Sequence, residues 1–161
     1  IMSVTGGASV VVAEPTALPF GIAWLDNERV LYTAAPADNP SLMEVFLVPA
    51  SGGESRRLGL LRDGRAAVLP SPIAGRAAFL FLSCASVIDC DLHVFDLRSD
   101  SSKALVSGSL LGVHAASGHL LFERGGTLLA VRFDASSLEM RGDPVQLFST
   151  LSIQAPGSVS I

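Results

Sequence analysis

Cys84 and Cys90 are the only cysteines in the chain. They flank a short loop between two apolar runs, where opposed hairpin positions come within reach of a disulfide. A bond there suits a periplasmic or extracellular compartment; the alternative is a pair of partly buried free thiols. Neither their spacing nor a nearby histidine pair supplies four zinc ligands. His93, His114 and His119 stand in separate apolar runs. A histidine base needs a nucleophile and an orienting group, and the sequence pairs none of the three with either. Asp89 and Asp91 make a D-x-D without the glycine and distal glutamate of a calcium loop, which suits a solvated turn. Gly6-Gly7, Gly52-Gly53 and Gly125-Gly126 read as hairpin turns rather than phosphate cradles. No G-x-S-x-G elbow, kinase signature or G-x-x-x-x-G-K-[ST] loop is present. The expectation is a chain without its own active site, cofactor or metal.

Composition narrows the class further. Of 161 residues 49% are hydrophobic and 16% charged, too apolar for general disorder. The net charge is -4, Lys103 is the only lysine, and the arginines are scattered except for Arg56-Arg57. A phosphate backbone needs clustered cations, so nucleic acid is not an expected partner. The longest apolar candidate, Ala77 to Ile88, falls short of the roughly 18 to 20 residues of a membrane helix. No basic region followed by an apolar core opens the chain, and it starts with Ile1, as a processed chain or a piece of a longer one would.

The elements that position these residues are short. Runs such as VLYTA (from Val30), EVFLVP (from Glu44), AAVL (from Ala66), AAFLFL (from Ala77), LHVFDL (from Leu92), HLLFE (from His119) and TLLAVRF (from Thr127) alternate with Gly, Pro, Asp and Ser turns. The stretch PSPIAG after Leu69 reads as one such turn. Several inner runs are apolar at consecutive positions, as strands covered on both faces are. The turn following each third strand, matched at Gly6, Gly52, Ser101 and Gly142, recurs at roughly 40 to 50 residues, the period of a four-stranded propeller blade. The expected fold class is therefore all-β: an open arc of a β-propeller. It comprises a partial blade over residues 1–12, blades near 20–60, 65–107 and 109–148, and the start of another at 151–161. Three blades do not close a ring, so the chain is expected to be a segment of a larger propeller.

VFLVPASGGESRRL, DLHVFDL and SGHLLFERGGTLLAVRFDASSLEMRGDPVQL resemble TolB-like, six-bladed-type propeller repeats of bacterial proteins. The last is similar to repeats carried C-terminal to bacterial serine/threonine protein kinases. The second blade departs from the pattern, with Ser101-Ser102 for the Gly-Gly turn and no aromatic like Trp24 in its first strand. The resemblance implies recognition at the loops joining second to third strands and successive blades. On that face stand Asp38, Asn39, Arg62, Asp63, Arg65 and Asp89, the candidate ligand-binding residues, with a plain solvated loop as the alternative. The implied function is a non-catalytic binding or sensory propeller of a periplasmic or extracytoplasmic signalling protein, such as a receptor-type serine/threonine kinase. The expected ligand is a protein, peptide or glycan, and the remaining blades of the propeller are the other partners. Two alternatives stand beside it: an arc covering the active site of a prolyl oligopeptidase-like peptidase, and a TolB-like periplasmic scaffold.

Overall fold

The structure, a computed structural model, describes residues 11–14, 20–60 and 64–149. The expected Gly6-Gly7 hairpin, Arg62, Asp63 and the opening of a further blade after residue 150 lie outside these. Twelve strands follow one another in the described residues, with no helix between them and so none long and apolar enough to cross a membrane. They form three four-stranded antiparallel sheets, each in simple up-and-down order. The first sheet contains β1 (Ile22–Trp24), β2 (Arg29–Ala34), β3 (Glu44–Pro49) and β4 (Arg56–Arg57). The second contains β5 (Ala66–Pro72), β6 (Ala78–Cys84), β7 (Cys90–Asp96) and β8 (Ser101–Val106). The third contains β9 (Gly112–Ala115), β10 (His119–Arg124), β11 (Thr127–Asp134) and β12 (Glu139–Ser149). The sheets stack in chain order without closing into a ring.

Alternation along each strand explains the stacking. On β6 every residue is buried. Phe79 and Phe81, joined by Phe95 of β7, pack against Leu31, Val45 and Leu47 of the first sheet. The intervening Ala78, Leu80 and Leu82, with Leu92 and Val94 of β7, pack against Leu120, Phe122, Val131 and Phe133 of the third. Each joint thus sets an aliphatic face of one sheet against a phenylalanine-bearing face of the next. Burying each such side chain fully contributes roughly 1.5–3 kcal/mol, so these two joints form the core. Tyr32 and Phe46, stacked at 5.4 Å, continue the pattern on the far face of the first sheet, where Val12 and Ala13 pack on them.

Contact between second and third sheets is tight at Gly112. A Cβ on this residue would lie 2.2 Å from Leu92 Cδ1, a distance no side chain tolerates without displacing the buried leucine.

Three local expectations are corrected. The PSPIAG stretch is not wholly a turn: β5 runs through Pro70 to Pro72, with a register shift between Val68 and Ser71. Proline survives there because β5 is an edge strand of its sheet and its free side needs no donor. Ser101 lies within β8 and Gly142 within β12, so neither marks the turn after the third strand. Gly142 instead takes a positive φ of 80° where β12 shifts register against β11 between Ala130 and Arg132. In the third sheet the turn comes earlier, at residues 135–138. There Asp134 Oδ1 accepts from the amides of Ser136 and Ser137. The Ser136 hydroxyl and amide, and Arg141, hold this carboxyl well below the usual carboxylate range.

Candidate functional site

In each sheet the connection from second to third strand lies at the end where the chain enters the first strand. The three sheets build this end by one device with three chemistries. The penultimate residue of every second strand is a buried polar one: Thr33, Ser83 and Glu123. Each is tied to the residues just before its sheet's first strand. The Thr33 amide donates to Gly21 O at 3.0 Å. Ser83 Oγ accepts from Arg65 Nε at 2.9 Å. The Glu123 amide donates to Leu111 O at 3.3 Å. A buried polar group without a partner would cost roughly 1–3 kcal/mol, so these bonds fix where the loops begin.

The second sheet carries the most elaborate version. Cys84 and Cys90 oppose each other across β6 and β7 and are joined as a disulfide, closing the loop 85–89 covalently. Arg65 does not reach out to solvent. Its Nη2 donates to Ser83 O at 2.8 Å, to Asp91 Oδ2 at 3.1 Å and to Asp89 O at 3.4 Å. Asp91 Oδ1 in turn accepts from the Gly108 amide at 3.0 Å, and the Ser109 amide donates to Cys90 O. Asp91 is therefore part of the framework rather than a solvated turn residue. Asp89, its side chain 66% exposed, does face water.

The third sheet reaches the same end with two residues. Gly125 and Gly126 both adopt positive φ, at 59° and 76°, the geometry of a tight two-residue hairpin turn. The buried Glu123 carboxylate spans the turn and the incoming chain. Its Oε1 accepts from the Gly126 amide at 2.7 Å and its Oε2 from the Leu110 amide at 3.2 Å.

In the first sheet the longer loop, residues 35–43, is anchored from outside by charge. Arg57 Nη1 donates to Asp38 Oδ2 at 2.8 Å and its Nη2 to Glu44 Oε1 at 2.7 Å, with Nε also on Glu44. Glu44 first, then Asp38, holds the guanidinium still more firmly protonated than usual. Asn39 contributes through its backbone, its amide donating to Pro36 O and its carbonyl accepting from Leu42. The Met43 carbonyl accepts from the Ala67 amide at 2.8 Å, joining this loop to β5.

Of the sequence-based candidates, Asp38, Asn39, Arg65 and Asp89 stand in connections at this end. Asp38 and Asp89 present exposed carboxylates, whereas Arg65 is spent on the loop base. The histidines do not converge there on a common partner. His93 packs on Phe81 and His114 on Phe133, while His119 Nδ1 bonds to Ser117 in its own turn. His114 Nδ1 is buried without a hydrogen-bond partner, and burial lowers its pKa below the ordinary value of 6.5. Among the described residues, no group of three or more His, Cys, Asp or Glu side chains could hold a metal ion. Glu123 was not among the sequence-based candidates, and Asp91 entered only as a solvated turn residue. A carboxylate near the end of an apolar strand, two residues before Gly125-Gly126, was the available signal for Glu123; the framework role of Asp91 had none, because its partners Arg65 and Gly108 lie far along the chain.

No family model matches the chain, and no curated protein does. Solved structures do. One, assigned as a TolB of Agrobacterium tumefaciens, superposes with a TM-score of 0.51 at 18% identity over 73% of this chain and 46% of its own. The β-propeller domain of the Trilobed protease from Pyrococcus furiosus, described as having an open velcro topology, gives 0.53 at 20% identity over 78% and 41%. The chain spans less than half the length of either. At these identities the likeness establishes fold, and the sheet order and stacking described above agree with it. The chain has the fold of an open β-propeller arc, similar to that of both these structures.

Proposed function

We propose that this arc is a non-catalytic recognition module. It belongs to a bacterial signalling protein, such as a receptor-type serine/threonine kinase, and binds a protein, peptide or glycan at the loop end of its sheets. The observation that carries this reading is the construction of that end. Three connections of different length and chemistry rise from bases fixed by Thr33, Ser83 and Glu123, which is how a rigid scaffold offers variable loops for binding. The disulfide supports an extracytoplasmic setting, since such bonds persist in oxidising compartments.

Panning the full chain against a displayed random-peptide library and an arrayed glycan set tests the loop-end reading. Bound ligands are expected to lose affinity when Asp38→Ala and Asp89→Ala are combined. Ligands indifferent to these and to every other loop-end substitution would sink it.

A second reading is favoured by the likeness to a protease's propeller: an arc that covers the active site of a prolyl oligopeptidase-like peptidase. Sequencing the coding region on both sides separates the two. An upstream kinase catalytic loop and membrane span support the sensory module; a downstream G-x-S-x-G with later Asp and His supports the peptidase. More blades alone leave a TolB-like scaffold.

A further inference from the structure

We propose that the disulfide-closed loop 85–89 is the anchor of this recognition surface. Its adjacent Val87 and Ile88 insert into an apolar cleft of a protein or peptide partner, and Asp89 meets a basic group at the cleft's rim. The inference rests on the loop-end reading above and narrows its ligand from protein, peptide or glycan to protein or peptide.

Exposure is the first ground. Ile88 is 72% exposed and Val87 67%, and Ile88 is the most exposed large apolar side chain among the described residues. A single surface aliphatic needs no explanation. Here two neighbours occupy the tip of one short loop between β6, which is wholly buried, and β7, which has no exposed residue.

The second ground is rigidity. The loop is closed three times: by the Cys84–Cys90 bond, by the Ala85 amide donating to Asp89 O at 2.9 Å, and by Arg65 bridging Ser83, Asp89 and Asp91. Inside it, the Ile88 amide turns back to Ser86 Oγ at 3.4 Å. A loop so constrained loses little conformational freedom on binding, and burial of its two aliphatics goes largely into affinity. Desolvated apolar anchors on a preorganised base are what concentrate binding energy in an interface.

Charge selects the class of partner. Asp89 is 66% exposed beside the tip, only weakly offset by Arg65 at 3.9 Å, in a chain of net charge -4. One acidic residue next to two aliphatics, with no tryptophan or lysine in the loop, disfavours a bilayer, where aromatic and cationic side chains anchor. Aliphatic tips also give a sugar neither a stacking ring nor a hydrogen bond. A protein cleft with a cation at its rim satisfies all three side chains.

The test uses the full chain and the displayed random-peptide library. Selected peptides are expected to combine aromatic or aliphatic residues with Lys or Arg, and Ile88→Ser is expected to weaken them about tenfold or more. Val87→Ser does the same to a lesser degree. Cys84→Ala with Cys90→Ala, which keeps both aliphatics, lowers affinity several-fold by loosening the loop. Val145→Ser, an exposed aliphatic on β12, leaves binding unchanged. Peptides that respond to Asp38→Ala but not to Ile88→Ser overturn the anchor while the loop-end reading stands. Peptides that respond to no loop-end substitution overturn both. Ile88-dependent pelleting with phosphatidylcholine vesicles, or Ile88-dependent dimerisation in sedimentation, replaces the proposed partner with a membrane or a second copy, and overturns it as well.

Discussion

The second and third sheets close the same topological position in opposite ways. In the third, β10 turns into β11 through two glycines, and one buried carboxylate, Glu123, satisfies the turn and the incoming chain together. In the second, β6 reaches β7 through five residues that need a disulfide, a guanidinium and a second carboxylate to hold them. The minimal turn itself carries no side chain, and beside it only Arg124, at the end of β10, is exposed. The longer one lifts Val87, Ile88 and Asp89 into water. A scaffold indifferent to loop length does not require the extra fastening; fastening appears where the loop presents something.

The largest effect expected in testing this contrast is removal of the covalent closure. Cys84→Ala with Cys90→Ala should cost roughly 2–3 kcal/mol, because a short closed loop limits the unfolded chain by about that much. Thermal unfolding of the two forms measures it. If the double variant melts with the parent, the Arg65 framework alone suffices and the disulfide is dispensable for folding.

Glu123 should come next. Glu123→Ala strands the Gly126 and Leu110 amides in a buried setting, at about 1–2 kcal/mol in urea unfolding. Glu123→Gln keeps an acceptor and should recover a large part. A neutral Glu123→Ala would mean water replaces the carboxylate, and the two sheet ends would then be less different than they look.

Smaller still is Arg65→Lys, at about 1 kcal/mol. An ammonium cannot reproduce the fork that reaches Ser83, Asp89 and Asp91 together. The informative measurement is the double-mutant cycle with the cysteine pair. Both fasten the base of one loop, so their effects are expected not to add. Strict additivity would show that they act on different parts of the structure.

How much of this was legible in the sequence follows from how local each cause is. Strands were legible where apolar runs met Gly or Ser turns, and the double-sided burial of β6 was written in AFLFL itself. The repeat period survived although two of its marker residues were misplaced, since Ser101 and Gly142 lie inside strands rather than in turns. Extended β5 was hidden because proline signals a break unless the strand is at a sheet edge, and edge position belongs to tertiary structure. Among the site residues, Asp38 and Asp89 could be placed on loops by pattern alone. That Arg65 turns inward could not, since its partners Ser83 and Asp91 stand eighteen and twenty-six residues away. Glu123 looked like an ordinary strand-end charge because its burial depends on the chain arriving at Leu110.

Acidification offers the finest division between the two ends. His114, on β9, packs edge-on against Phe133 at 5.7 Å, with Nδ1 buried and unbonded, and burial holds its pKa below 6.5. Its folded-state value lies under the unfolded one, so between the two the unfolded chain binds more protons than the folded one. Stability therefore rises with pH across that window. The full contribution is present above pH 6.5 and is lost progressively as pH falls toward the folded value. His114→Gln should flatten the dependence of the unfolding midpoint on pH in this window and leave the midpoint above it little changed. Hydrogen exchange localises the effect. The β9–β10 amides of the parent protein should lose protection on acidification before those of the disulfide-closed β6–β7 pair. If both pairs loosen together, the two ends belong to one cooperative unit, and their different fastenings govern loop geometry rather than local stability.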